Sequence, residues 1–168
     1  RALHATGILL KGAFTATPEA AALTPAARMQ GATVPATFRF SNGSGDPHHP
    51  DYGVDPRGFA IKMYLPDGSR TDIVAVSTPR FSSRGPEGFV ELLQAQNAGL
   101  AAAWKLPQML ARHPEALPAL VADAPSLRAP ASYALIPYYG IHAFRWVDAQ
   151  GGERYVRYTL RPSAPEAR

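Results

Sequence analysis

The sequence predicts an α+β fold that is mainly β: an antiparallel sheet or barrel carrying a helical insertion at about 86–125. Three observations predict it. Residues 33–41 alternate, with Thr33, Thr37, Arg39 and Ser41 on one face and Val34, Ala36, Phe38 and Phe40 on the other. Two turn signatures, Pro66-Asp67-Gly68 and Asp148-Ala149-Gln150-Gly151-Gly152, each sit between β-prone runs. Between the strand-rich ends lies an Ala/Leu-rich stretch with Pro107, Pro114 and Pro118 near helix starts or breaks. Strands, then helices, then strands suit an antiparallel sheet better than a series of βαβ units.

Taken in order, residues 4–17 read as a long first strand, free of proline. Thr17-Pro18-Glu19 and Thr24-Pro25 are helix-start signals and predict two short helical turns. The alternating strand over 33–41 follows, then a Gly/Pro/Asp loop over 44–58 and a hairpin over 58–77. The insertion is read as helices over 88–106, 107–113 and 114–124. Strands are expected again over 132–140, 141–147 and 153–161.

Composition narrows the function classes. With 168 residues and 46% hydrophobic content the chain is sized for one domain, here taken as 1–168 and expected to be cut from a longer protein at both ends. It has no cysteine, which excludes disulfides, thiolate chemistry and Cys-ligated metal, and suits cytoplasm and periplasm alike. The net charge of +4 is not gathered into a basic stripe, so no nucleic-acid partner is expected. No apolar run approaches the roughly 20 residues of a membrane-spanning helix. Adjacent His48 and His49 in an extended loop point opposite ways, with no third ligand nearby, and read as a solvated loop.

Four motifs then stand in a fixed order. They are Arg1-Ala2-Leu3-His4-Ala5 before a strand, Arg39-Phe40-Ser41, Asp55-Pro56-Arg57-Gly58-Phe59-Ala60, and Asp72-Ile73-Val74 followed by Thr78-Pro79 and Phe81. Together with Tyr139-Gly140-Ile141-His142-Ala143-Phe144, this ordered set resembles the catalase family, and the short insertion resembles the small catalase-related haem peroxidases. The resemblance covers essentially Arg1 to Leu160 and implies a catalase-type barrel core that binds haem b. It implies a peroxidase acting on hydrogen peroxide or organic peroxides with a small organic reductant; whether the protein forms an oligomer stays open.

The resemblance also assigns residues. Cleaving a peroxide on haem iron calls for a group that takes a proton from one oxygen and returns it to the other, and imidazole suits both steps near neutral pH. His4 matches that acid–base residue and Ser41 the serine that holds its second ring nitrogen. Arg1 and Arg39 match the propionate-binding arginines, while Leu3, Gly58, Phe81, Phe89 and His142 match other positions near the cofactor. Asp55 matches an acid lining the substrate channel. Val76 falls where the family carries a distal asparagine; valine cannot hydrogen-bond peroxide, which implies weak catalase turnover. Ser82, where a second phenylalanine is usual, makes the pocket looser or more polar. The family's iron ligand is a tyrosine in an Arg-x-x-x-Tyr pattern on a helix, expected downstream of this chain. The same spacing at Arg154 and Tyr158 lies in an alternating strand and is read as coincidence. Two other readings share the barrel: an allene oxide synthase-like enzyme that rearranges hydroperoxides, against which Val76 counts, and a non-enzymatic haem- or ligand-binding barrel.

Overall fold

A computed structural model describes residues 3–166. The described residues fall into two compact units, one formed by 3–79 with 127–166 and the other by Arg80–Ser126.

The first unit is built on antiparallel strands. β1 (Gly7–Phe14), β2 (Val34–Asn42), β3 (Arg57–Tyr64), β4 (Arg70–Val76), β5 (Tyr138–Tyr139) and β8 (Thr159–Leu160) pair in that order into one six-stranded sheet. β6 (Phe144–Val147) and β7 (Glu153–Val156) pair only with each other, as a separate hairpin. Closure of the larger sheet into a barrel is not among the described pairings, and β1 and β8 form its two edges.

The alternation of β2 sorts core from site. Val34, Ala36 and Phe40 are buried on one face with Ile61 and Met63 of β3 and Ile73 and Ala75 of β4. Phe40 and Phe59 stack at 4.5 Å between ring centroids, and Tyr138 closes on Phe59 at 5.2 Å. Burial of each such side chain contributes about 1.5–3 kcal/mol. The opposite face carries Thr37, Arg39 and Ser41. The turn between β3 and β4 places Gly68 at a φ of 83°, in the left-handed region where glycine is favoured.

Three expectations for strands are corrected. The first strand starts at Gly7 and ends at Phe14, so His4 precedes it. Residues 132–140 hold a 3-10 turn, Tyr133–Leu135, and only the two-residue β5. The run 153–161 breaks at Arg157 and Tyr158 into β7 and β8, which belong to different sheets. Short apolar runs carry the same local signal whether they stay extended or turn, and long-range pairing decides.

The second unit holds α1 (Pro86–Gln96), α2 (Ala102–Arg112) and α3 (Ala116–Asp123), with Leu92, Ala95 and Met109 in its core. Pro86 occupies the first turn of α1, where its missing N–H costs nothing. Pro107 does not start a helix; it lies inside α2 and forfeits one backbone bond there, on a helix whose Met109 is almost wholly buried. Among the described residues, no helix is long and apolar enough to cross a membrane.

Candidate active site

The registers of the larger sheet bring distant residues into one row. Gly7 pairs with Ser41, Ser41 with Gly58, Gly58 with Val76, and Val76 with Tyr139. Directly paired residues of antiparallel strands point to the same face. Ser41 and Val76 therefore share a face, with Gly58 between them. The neighbouring row on that face is Leu9, Arg39, Ala60 and Val74.

His4 closes over this row. Its backbone lies at a φ of 54°, a left-handed conformation uncommon outside glycine. Its N–H donates to the Gly43 carbonyl at 3.2 Å, and the N–H of Ala5 donates to the Ser44 carbonyl at 2.9 Å. Arg39 Nη2 donates to the His4 carbonyl at 2.9 Å. The imidazole Nδ1 lies 2.7 Å from the Asn42 carbonyl and 3.0 Å from Ser41 Oγ. A carbonyl only accepts, so Nδ1 carries the ring proton and Ser41 Oγ shares it. That tautomer makes Nε2 the basic nitrogen of the ring.

Gly58 has a steric reason to be glycine. A Cβ there would lie 2.7 Å from both His4 Cε1 and Ser41 Oγ. Gly58→Ala is expected to displace the imidazole from Ser41. The accompanying loss of stability should stay near 1–3 kcal/mol, as for other overpacked sites. A thermal melt measures the loss, and the His4 ring resonances report the displacement.

The loop before β3 is organised from beneath by Arg57, which is 0% exposed. Its guanidinium donates to the carbonyls of Asp51 at 2.9 Å, Gly53 at 2.7 Å and Asp55, and lies 5.3 Å from the centre of the Tyr133 ring. Burial and the hydrogen bond to Asp51 push the Tyr133 phenol up to about 12, so it stays protonated at neutral pH. Asp55 Oδ2 accepts from the backbone N–H groups of Gly43 at 2.6 Å and Ser44 at 2.9 Å. Ser77 is buried; its Oγ accepts from the Arg57 N–H at 3.0 Å, away from the face that carries Val76.

The structure thus brings His4, Arg39, Ser41, Gly58 and Val76 together, with Asp55 one layer behind. Arg1 lies outside the described residues, and Leu3 is half-buried beside His4 in the chain. Phe81 and Phe89 pair with ring centroids 4.9 Å apart in the helical unit. His142 is exposed in the bend before β6 and is not one of the groups gathered at His4. Tyr158 packs its ring on Phe144 and Trp146, and its hydroxyl accepts from Arg28 at 3.0 Å. His49 Nε2 sits 3.8 Å from Asp55 Oδ2, and no group of three potential metal ligands occurs among the described residues.

The family model described as Catalase matches residues 1–166. This chain belongs to the catalase family. Within the family, a catalase-related peroxidase of Mycolicibacterium paratuberculosis is 49% identical over 166 residues, which take in 99% of this chain and 53% of that protein. A catalase-related peroxidase of Synechococcus elongatus is 31% identical across 98% of this chain and 50% of its own length. The chain therefore spans about half the length of these relatives. Among solved structures, a bacterial catalase superposes with a TM-score of 0.82 at 28% identity, over 95% of this chain and 32% of that one.

Sequence reasoning missed two residues of this catalase-family site. Asn42 supplies its backbone carbonyl to His4, and any residue type offers that group, so no side-chain signal marks it. Arg57 was visible in Asp55-Pro56-Arg57-Gly58, a charged residue at the point where a Gly/Pro loop enters a strand.

Proposed function

We propose that this chain carries the peroxide-handling side of a haem-dependent peroxidase that reduces hydrogen peroxide or organic peroxides at the expense of a small organic reductant. One observation carries the reading: the His4 imidazole is held as the Nδ1–H tautomer beside an apolar stretch of open sheet face. In the row next to His4, Leu9 and Val74 are 67% and 69% exposed, with Ala60 and Arg39 between them. A flat apolar macrocycle would cover that stretch, and Arg39 suits a propionate at its rim. These residues fit haem b, with Arg1 as the second propionate partner and Leu3, Gly58 and His142 as further neighbours. The catalase-type barrel, with 1–168 as a single core, belongs to the same reading, as does an iron-bound tyrosine from outside this chain.

Haem, when bound, would supply the iron at which the peroxide oxygen–oxygen bond is broken. The chain's part is proton handling. Nε2 of His4 takes the proton from the nearer peroxide oxygen, while Nδ1 keeps its own proton on the Asn42 carbonyl and Ser41. The proton is then returned from Nε2 to the departing oxygen, which leaves as water or alcohol. Val76 adds no hydrogen bond on the same face, so little help is given to a second peroxide acting as reductant. That favours organic reductants over oxygen evolution. Asp55 and Val76 remain the residues assigned to the substrate channel.

The full-length protein should take up haem stoichiometrically and oxidise a phenolic reductant with peroxide faster than it evolves oxygen. Failure to bind haem, or oxygen evolution as the dominant outcome, overturns the reading.

A further inference from the structure

We propose that Asp55 is a positioning residue for His4, its carboxylate holding residues 42–44 in the shape that presents three successive carbonyls to His4 and Ala5. The inference rests on the acid–base reading of His4.

In an extended strand, successive N–H groups point to opposite sides. The N–H groups of Gly43 and Ser44 instead converge on one oxygen, Asp55 Oδ2, at 2.6 and 2.9 Å. The chain has to leave the β2 conformation to do this, and β2 does end at Asn42. In that turned shape the Asn42 carbonyl takes the His4 Nδ1–H at 2.7 Å, the Gly43 carbonyl takes the His4 N–H, and the Ser44 carbonyl takes the Ala5 N–H. All three bonds that seat the ring and its backbone on this segment therefore depend on where the segment lies.

The anchor is itself fixed. The Asp55 side chain is 12% exposed, Arg57 Nη1 stands 4.0 Å from Oδ2, and the Asp55 N–H donates to the Leu127 carbonyl at 3.0 Å. Charge-assisted bonds to paired backbone N–H groups are stronger than neutral ones and suited to holding a turn. Gly43 completes the fit, since a Cβ there would meet Asp55 Oδ1 at 2.7 Å and Pro56 Cγ at 2.8 Å.

Asp55→Asn and Asp55→Ala in the haem-loaded full-length protein separate positioning from a simple channel charge. Asparagine keeps an oxygen on the same stem that can accept both N–H groups; alanine keeps none. We expect Asp55→Ala to lower kcat with peroxide by about 10–100-fold and Asp55→Asn to retain most of it. Hydrogen exchange gives the readout independent of activity. The amides of His4 and Ala5 should exchange about tenfold faster in Asp55→Ala, with protection of the helical unit unchanged. Gly43→Ala, which crowds Asp55 from the other side, should give the same signature and serves if Asp55→Ala does not fold. Equal losses in the Asn and Ala variants, or unchanged exchange at His4 and Ala5, overturn the inference. The two readings fail separately. Full peroxide activity in a His4 variant sinks the acid–base assignment, whereas full activity in Asp55→Ala with an inactive His4 variant sinks only the role of Asp55.

Discussion

Replacing His4 by alanine in the full-length protein is expected to slow its reaction with peroxide by about 10²–10⁴-fold, the usual worth of a positioned general acid–base group. Haem uptake should survive, because the apolar row and Arg39 remain. Any side chain at a φ of 54°, histidine included, is strained by about 1–2 kcal/mol, whereas glycine is not. His4→Gly should therefore be the more stable variant and equally slow. Rapid-mixing kinetics with hydrogen peroxide decide the matter, and a loss smaller than about tenfold would remove His4 from the acid–base role.

Arg57→Met is expected to be the most damaging single change to the fold of the sheet unit. The methionine matches the length of the stem but leaves the carbonyls of Asp51, Gly53 and Asp55 without their donor and the Asp55 carboxylate without its neighbouring cation. Removing one partner from a buried charged cluster costs about 3–5 kcal/mol. For a domain of this size that corresponds to a drop of roughly 6–20 °C in melting temperature. Calorimetry on the full-length protein measures it. Arg57→Lys should recover only part of the loss, since one ammonium cannot reproduce a planar fork aimed at several carbonyls.

Much of the sheet was legible in the sequence because its strands bury one face only. The alternation over 33–41 separates the core side of β2 from its site side, and Pro66-Asp67-Gly68 marks the turn that joins β3 to β4. The last third was less readable. Tyr138-Tyr139 and Thr159-Leu160 pair for two residues each, too short for a period to declare itself, and Arg157-Tyr158 turns the chain between two sheets. At the site, the motifs named the side chains that meet. What they did not show was the backbone between them. The carbonyl of Asn42 and the paired N–H groups of Gly43 and Ser44 are common to nearly every residue, and only their geometry makes them part of the site.

The single row of residues that runs across the sheet ties activity to refolding. On β2, residues that serve the site alternate with residues that serve the core. A slip of β2 by one position would turn Arg39 and Ser41 inward and push Phe38 and Phe40 out. Such a chain would keep its strands but lose the site, and would expose aromatic surface in its place. Recovered activity after denaturation therefore counts correctly registered molecules, a quantity that circular dichroism, which sees only strand content, would overstate.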